Sequence, residues 1–208
     1  YVNSITVDSN MTISAMNDSE GETVKFVNEI QGDTPEIEDW LNSFEEEMKN
    51  TLKKRTSECL IASTSTEMKK EDWLIKFPAQ VCLITNQIQW TQQVTNVIKS
   101  QKLRGLRTLQ NKFIEQLDQL TEIIRQKISK LLRQVVSCLL INEVHNRDII
   151  TSLISDGVQE AESFKWMKQL RYYWENETVM IKSINNTFEY SYEYAGNSAR
   201  LVITPLTD

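Results

Sequence analysis

A stripe of apolar residues between Leu103 and Leu139 is the feature that most constrains how this chain folds. Its members are Leu103, Leu106, Leu109, Phe113, Leu117, Leu120, Ile124, Ile128, Leu131, Val135 and Leu139. The mean step is about 3.6 residues, which is the period of a straight α-helix. No Gly or Pro interrupts the sequence from Leu106 to Asp156. The pattern therefore predicts one long packed helix that extends for about 54 Å over the stripe.

Few residues in the rest of the chain break helices. The 208 residues include only 5 Gly and 3 Pro, and 40% are hydrophobic, so the chain can bury a core. Thr34-Pro35 is typical of a helix start, because Thr can cap a helix and Pro fits its first position. Further helices are predicted over residues 71–76, from about Ala79 to Ile98 and from Ala161 to Trp174, with a loop at residues 63–66 and a break at Gly157.

Both ends of the chain favour β-structure. Apolar residues alternate near the N-terminus, at Ile5, Val7, Met11, Ile13 and Ala15, and again at Val24 and Phe26. The turn-forming cluster at residues 17–21 separates the two runs, so a β-hairpin is predicted. Residues typical of strands return at Val179–Ile181, Phe188–Tyr194 and Leu201–Thr204. The predicted fold class is mainly α, with long packed helices, an N-terminal β-hairpin and short β-strands at the C-terminal end.

The motifs of catalytic and phosphate-binding sites are missing from the sequence. It contains no Gly-x-x-x-x-Gly-Lys-Ser/Thr, Gly-x-Gly-x-x-Gly or Gly-x-Ser-x-Gly motif. The single His145 has no Cys or His at ligand spacing, so a metal site is not expected. The acidic run Glu45–Glu47 is typical of a solvated helix face. By itself, the chain is therefore predicted to have no catalytic activity.

Charge and cysteine content narrow the classes of partner. The formal net charge is −6, with acidic and basic residues interleaved, so a nucleic-acid partner is not expected. No apolar run is long enough to cross a bilayer, so no membrane partner is expected. Cys59, Cys82 and Cys138 are far apart and odd in number, and they are predicted to be buried thiols in a reducing compartment.

A basic cluster lies where the apolar stripe begins, at Lys99, Lys102, Arg104 and Arg107. Four cations within nine residues could bind a phosphate group. They are interleaved with leucines of the stripe, however, which favours the solvent-facing side of a helix start.

Several blocks of the sequence resemble dynein heavy chains. In chain order they are Ser19-Glu-Gly-Glu22, Glu38-Asp-Trp-Leu41, Trp73 to Pro78 followed by Gln80, Gln89-Trp-Thr91, Glu143-Val-His-Asn-Arg-Asp148, Phe164 to Trp174 and Leu201-Val-Ile-Thr-Pro-Leu-Thr-Asp208. They span nearly the whole chain in the family's order. Gly196-Asn-Ser together with Leu201-Val-Ile-Thr-Pro is more similar to axonemal than to cytoplasmic dyneins.

The resemblance implies that the chain is the C-terminal part of the dynein linker and runs into the start of the first AAA+ module. Residues 1–32 would form the β-hairpin of the linker and residues 33–175 its helical subdomain. Residues 176–208 would form the junction with the ring and the N-terminal loop of the module. In the family a phosphate-binding loop follows, so we expect the chain to be a piece of a longer heavy chain, truncated before Walker A.

In the family, the loop at the end of this segment borders the adenine of bound ATP. The resemblance therefore implies nucleotide contact by Leu201, Val202, Ile203, Thr204, Pro205 and Leu206. Without the resemblance, the same residues would be taken as an ordinary buried strand. Ala195 and Ala199 depart from the family pattern, in which Leu and Pro are usual. The implied cofactor is ATP or ADP with Mg in the parent motor, and none for this chain alone.

The resemblance also implies a function. The parent chain would be an ATP-driven, microtubule-based motor and an AAA+ ATPase, and this part would couple ATP binding and hydrolysis in the ring to the power stroke. Its partners would be the AAA+ ring of the same chain, the microtubule through the parent chain, and dynein intermediate and light chains. The expected location is the cytoplasm and cytoskeleton, and more narrowly the axoneme of a cilium or flagellum.

Two features have competing interpretations. The aromatic residues from Trp166 to Trp174 are predicted to pack in the core, whereas the resemblance also suggests a hinge between linker and ring at Trp174. In the alternative function, the stripe from Leu103 to Leu139 binds a partner helix. The chain would then be a non-catalytic helical scaffold or a coiled-coil interaction module.

Overall fold

The structure, a computed structural model, describes residues 2–32, 36–64 and 70–197. The chain forms a three-stranded antiparallel sheet near each terminus, and in sequence the helices lie between the two sheets. In chain order the elements are β1 (Ser4–Val7), β2 (Thr12–Asn17), β3 (Thr23–Gln31), α1 (Ile37–Thr64), α2 (Lys70–Lys76), α3 (Ala79–Arg125), α4 (Lys130–Ser155), α5 (Phe164–Met167), β4 (Arg171–Glu175), β5 (Thr178–Ser183) and β6 (Asn186–Glu189). The predicted fold class is confirmed. The predicted domain boundaries stay predictions.

The N-terminal sheet contains the predicted hairpin and one further strand. β2 and β3 pair around the turn at residues 17–21, and β1 adds to the free edge of β2. Met11 does not continue the predicted alternation, because it lies outside β2, has φ 59° and is 54% exposed. Within β2, a register shift between Ile13 and Ala15 interrupts the alternation, so that Ala15 and Met16 are both buried.

Helix α1 packs against β3 through polar and aromatic contacts. The backbone N–H of Val27 donates to Oγ1 of Thr51 at 3.0 Å, and the rings of Phe26 and Phe44 meet edge to face at 5.4 Å. The helix extends to Thr64, so the loop predicted from Ser63 is wrong for its first two residues. The Ser63 hydroxyl donates to the Leu60 carbonyl at 2.8 Å, which is compatible with the last turn of a helix. Thr34-Pro35 and residues 65–66 lie outside the described residues.

The helix predicted from about Ala79 to Ile98 is confirmed, and a turn separates it from the helix in which the apolar stripe begins. Lys102 has non-helical backbone angles (φ 52°, ψ −141°), so that α3 has two arms, residues 79–101 and residues 103–125. The arms fold back on each other, because Nζ of Lys112 donates to Oε1 of Gln93 at 3.3 Å across 19 positions. In a straight helix these positions would be about 28 Å apart.

A second break, at residues 126–129, lies inside the apolar stripe and separates α3 from α4, so the single long helix predicted over the stripe is wrong. Helix α4 then returns along the second arm. The Ser129 hydroxyl caps α4 by accepting from the Leu132 backbone N–H at 3.2 Å. Farther along, Nε2 of Gln110 donates to Oγ1 of Thr151 at 2.7 Å. The two arms and α4 therefore form an antiparallel helical bundle.

The apolar stripe lies inside this bundle. Leu106, Leu120 and Leu139 are fully buried within the chain itself. After the second break the buried position moves from Leu131, which is half-buried, to Leu132. The scaffold interpretation requires these leucines to form an open face for a partner helix. In the described part of the chain they are covered by the chain itself.

The helix predicted from Ala161 to Trp174 is also wrong over most of its length. Helix α5 covers only Phe164–Met167, and residues 171–175 form strand β4. Trp166 is fully buried as predicted, but Phe164 is 62% exposed. Asn176 and Glu177 both have positive φ, which suits the two-residue turn between β4 and β5. This hairpin pairs Trp174 with Val179, and strand pairing overrides the helical spacing of the aromatic residues.

The predicted break at Gly157 and the predicted burial of the cysteines are confirmed. Gly157 has φ +67° and donates to the Ile154 carbonyl at 3.1 Å, while Val158 donates to the Leu153 carbonyl at 3.0 Å. This bonding pattern is a Schellman motif, in which Gly tolerates the left-handed backbone. All three cysteines are buried free thiols.

Candidate functional site

The predicted nucleotide-contacting residues, Leu201 to Leu206, and Ala199 lie outside the described residues. The structure does describe the aromatic segment that leads to them, defined here as residues 190–197. The segment follows β6 but belongs to no strand, so the strand predicted over Phe188–Tyr194 is correct only for its first two residues. The candidate site is the place where this segment attaches to the rest of the protein.

The tyrosines of the aromatic segment turn towards the protein interior. Tyr192 and Tyr194 are buried, whereas Ser191 and Glu193 between and beside them are exposed. The Tyr192 hydroxyl accepts from the Val179 backbone N–H at 2.8 Å. Burial raises the pKa of Tyr190 to about 12, so its phenol is neutral at physiological pH. The alternation of these tyrosines therefore reflects packing against the chain's own core.

One buried amide, Gln80 in the first turn of α3, binds the aromatic segment at three points. Its Nε2 donates to the Tyr190 hydroxyl at 2.5 Å and to the Glu193 carbonyl at 2.7 Å. Its Oε1 accepts from the Ala195 backbone N–H at 2.8 Å. Both amide protons and the carbonyl oxygen of Gln80 are therefore used, and the segment is fixed at both ends.

A buried carboxylate, Glu22, joins the N-terminal sheet to both the helix and the aromatic segment. Its Oε1 accepts from the Ala79 backbone N–H at 2.7 Å, and its Oε2 accepts from the Tyr194 hydroxyl at 2.7 Å. Glu22 is only 6% exposed. Helix α3 begins after Pro78 without a side-chain cap of its own, so Glu22 satisfies one of its free N–H groups and faces the positive end of its dipole.

The surroundings of Glu22 are ordered by further contacts. Oδ1 of Asp18 accepts from the backbone N–H groups of Glu20 and Glu22, at 2.9 and 2.8 Å, which fixes the turn of the hairpin. Burial raises the pKa of Tyr194 well above its usual range, and the hydrogen bond to Glu22 and the charge of that carboxylate raise it further. Tyr194 is therefore a hydrogen-bond donor to the carboxylate throughout the physiological pH range.

The aromatic segment also passes close to the hairpin at Gly196. This residue has φ +63°, and a Cβ added there would lie 3.1 Å from Oδ2 of Asp18. Glycine suits both the backbone angle and the close approach. The side chain of the preceding Ala195 is exposed, so its departure from the family pattern leaves the bond between its backbone and Gln80 intact.

A cavity of about 440 Å³ opens between the aromatic segment, the first arm of α3 and α4. Gln80, Tyr190 and the lone His145 are among the residues that line it. The structure thus brings His145 near the candidate site. Within the described ranges, no group of three or more His, Cys, Asp or Glu side chains is placed to hold a metal ion.

The roles of Glu22 and Gln80 were not predicted from the sequence. Both residues lie in blocks that resemble dynein heavy chains, but their local sequence does not show which distant groups they bind. Glu22 and Ala79 are separated by 57 positions, and Gln80 and Ala195 by 115.

Trp174, the predicted hinge residue, lies in β4, half-buried against the main core. Among the residues that the structure describes, no helix has the length and apolar character needed to span a membrane.

Comparison with known proteins identifies relatives along nearly the whole chain. Residues 1–59 match the family described as dynein heavy chain, N-terminal region 2. The chain is 36% identical over 198 residues to dynein axonemal heavy chain 1 of Homo sapiens, and 38% identical over 201 residues to dynein axonemal heavy chain 12 of the same species. These alignments cover 95% and 96% of this chain, but only 4% and 6% of the two relatives. The chain therefore corresponds to a small part of such proteins.

Proposed function

Because the chain belongs to the dynein heavy chain family, we propose that it is the C-terminal part of the linker of an axonemal heavy chain and couples ATP binding and hydrolysis in the AAA+ ring to the power stroke. The relatives are axonemal and much longer than this chain. The proposal includes motor activity of the parent heavy chain. It also includes, as partners, the AAA+ ring of the same chain, the microtubule, and dynein intermediate and light chains. The proposed location is the axoneme of a cilium or flagellum.

The observation that supports coupling is the double attachment of the aromatic segment. Gln80 fixes the segment to the first turn of α3, and Glu22 fixes Tyr194 to both the same turn and the N-terminal sheet. Leaving a buried polar group unsatisfied costs about 1–3 kcal/mol. A displacement of the segment therefore moves the start of α3 with it, because separating them breaks several buried hydrogen bonds.

The helical bundle of α3 and α4 is suited to transmit such a displacement. Its two arms and α4 pack around fully buried side chains, including Leu106, Leu120 and Leu139. Close-packed interiors resist continuous deformation and shift between discrete arrangements. A small movement at residues 190–197 would thus be carried as a rigid-body movement of the bundle.

The nucleotide contact proposed for this chain is limited to adenine. Leu201 to Leu206 would contact the base through apolar side chains and backbone groups. The sequence has no phosphate-binding loop, and the described residues hold no metal-binding group, so the phosphates and Mg are assigned to other parts of the heavy chain. Substitution of Val202 and Ile203 by Ala in the intact motor should weaken nucleotide binding, and unchanged affinity would exclude the contact.

The coupling proposal is tested by Glu22→Gln in the intact heavy chain. The variant keeps the size of the side chain but removes the charge that faces α3, so microtubule gliding should slow more than ATP hydrolysis. Glu29→Gln is the matched control, because Glu29 is an exposed residue of β3. A parallel fall of gliding and hydrolysis, or no change in either, would contradict coupling through Glu22.

A further inference from the structure

The fold places the four clustered cations of the sequence at one end of the helical bundle. Lys99 lies near the end of the first arm of α3, Lys102 forms the turn, and Arg104 and Arg107 lie near the start of the second arm. All four residues are exposed. We call this surface the basic tip. It is the outermost point of the α3 hairpin, because the chain reverses direction at Lys102.

The basic tip is not neutralised by the described part of the chain. The sequence contains no Asp or Glu between residues 73 and 114, although the net charge of the whole chain is −6. Among the described residues, none of the four cations forms an ion pair. The acidic residue at the end of α4, Asp156, instead pairs with Lys165 at 3.2 Å. The tip is therefore a local exception to the acidic character of the protein.

The turn that carries the basic tip is unusual for a lysine. Backbone angles of φ 52° and ψ −141° suit Gly and are strained for residues with a side chain. The glycine nearby is Gly105, where an added Cβ would lie 2.7 Å from Cγ1 of Val97 on the other arm. The two arms therefore approach closely beside the turn, and helical residues flank the tip on both sides.

We propose that the basic tip is a docking surface for an acidic protein segment, an exposed run of Asp and Glu side chains. Two guanidinium groups, those of Arg104 and Arg107, lie one helical turn apart and suit the planar geometry of carboxylates. The two lysines add positive charge without a fixed geometry. Charge complementarity thus selects the partner, and this inference is independent of the proposed coupling function.

Other polyanionic partners fit the tip less well. Single-stranded nucleic acid requires exposed aromatic rings for stacking, whereas the nearest aromatic residue in sequence, Phe113, is buried. A membrane surface favours exposed apolar side chains beside the cations, whereas Leu106 is buried and Leu103 half-buried. The acidic character of the remaining protein also opposes an extended polyanion.

The test measures binding of a fluorescein-labelled decaglutamate peptide to the full chain by fluorescence anisotropy. We expect the double variant R104Q/R107Q to bind about fivefold more weakly, since each exposed ion pair contributes modestly. The matched control is R125Q/K127Q, which removes the same charge at the exposed far end of the second arm. Equal weakening by both variants would show only a general charge effect and would overturn the proposal.

A second variant separates binding from folding. Lys102→Gly should weaken peptide binding while the melting temperature stays constant or rises, because Gly relieves the backbone strain. A residue with a purely structural role would change both quantities in the same direction. Tighter binding of a labelled oligothymidine or of phosphatidylserine vesicles than of the peptide, with the same dependence on Arg104 and Arg107, would overturn the assignment of an acidic protein segment.

Discussion

The phenol of Tyr194 donates a hydrogen bond to the carboxylate of Glu22 at 2.7 Å, across 172 positions of sequence. Both groups are buried, and the same carboxylate binds the first N–H of α3. One side chain thus joins the turn between β2 and β3, the start of a central helix and a segment near the end of the chain. The effect of breaking this contact follows from its burial.

Tyr194→Phe should destabilise the protein by about 1–3 kcal/mol, because a buried carboxylate oxygen loses its donor. Urea unfolding followed by circular dichroism measures the change. Tyr173→Phe serves as a control, since the Tyr173 hydroxyl is only half-buried and accepts a long 3.4 Å bond from Arg171. Equal stability of wild type and Tyr194→Phe would mean that the contact does not fix the aromatic segment.

Gly196→Ala should destabilise the protein more than Gly157→Ala. Both glycines have similar φ, +63° and +67°, so the backbone strain is comparable. Only at Gly196 would the new Cβ approach a neighbour, Oδ2 of Asp18, whereas nothing lies within 4 Å at Gly157. Thermal unfolding of the two variants therefore isolates the contact with Asp18, which we expect to add about 1 kcal/mol. Identical losses would contradict the close approach.

A cross-link tests the hairpin of α3. A short bismaleimide should join Cys residues introduced at Gln93 and Lys112, because these side chains are in contact. A straight helix would separate them by about 28 Å and prevent the reaction. The three native cysteines are buried and should react slowly. Cys residues at Gln93 and Lys127 form the control pair, which the hairpin geometry keeps apart. Peptide mass spectrometry identifies the linked residues.

The two tryptophans of the C-terminal region should respond differently to truncation. Trp166 is fully buried and meets Trp90 edge to face at 5.4 Å, so Trp166→Ala should cost about 3–5 kcal/mol of stability. Trp174 is half-buried in β4, so Trp174→Ala should destabilise less. If Trp174 forms the hinge, its variant uncouples ATP hydrolysis from microtubule gliding in the intact motor. A parallel decrease of both rates, or a loss of stability alone, would remove the hinge hypothesis.

The elements that the sequence predicted correctly have local signals. The turn at residues 17–21 lies between alternating runs, Gly157 ends α4 through its left-handed backbone, and α2 ends two residues before Pro78. In each case the residues that determine the structure lie within a few positions of the feature itself.

Neither break in the helical bundle is marked by a Gly or Pro at the turn itself. A Lys with strained backbone angles forms the first turn, and Ser129 caps the helix that follows the second. The spacing of apolar residues continues in the sequence across the second break, although the buried position moves there from Leu131 to Leu132. The site contact between Glu22 and Tyr194 was likewise unpredictable, since it depends on how distant elements pack.

The capping of α3 by Glu22 has a consequence for folding during synthesis. The hairpin that carries Glu22 leaves the ribosome before Ala79 does, so the carboxylate is already present when α3 begins to form. The Tyr194 hydroxyl is made after both. The bond between Tyr194 and Glu22 can therefore form only after both earlier partners have been synthesised, and until then one oxygen of the Glu22 carboxylate lacks this donor.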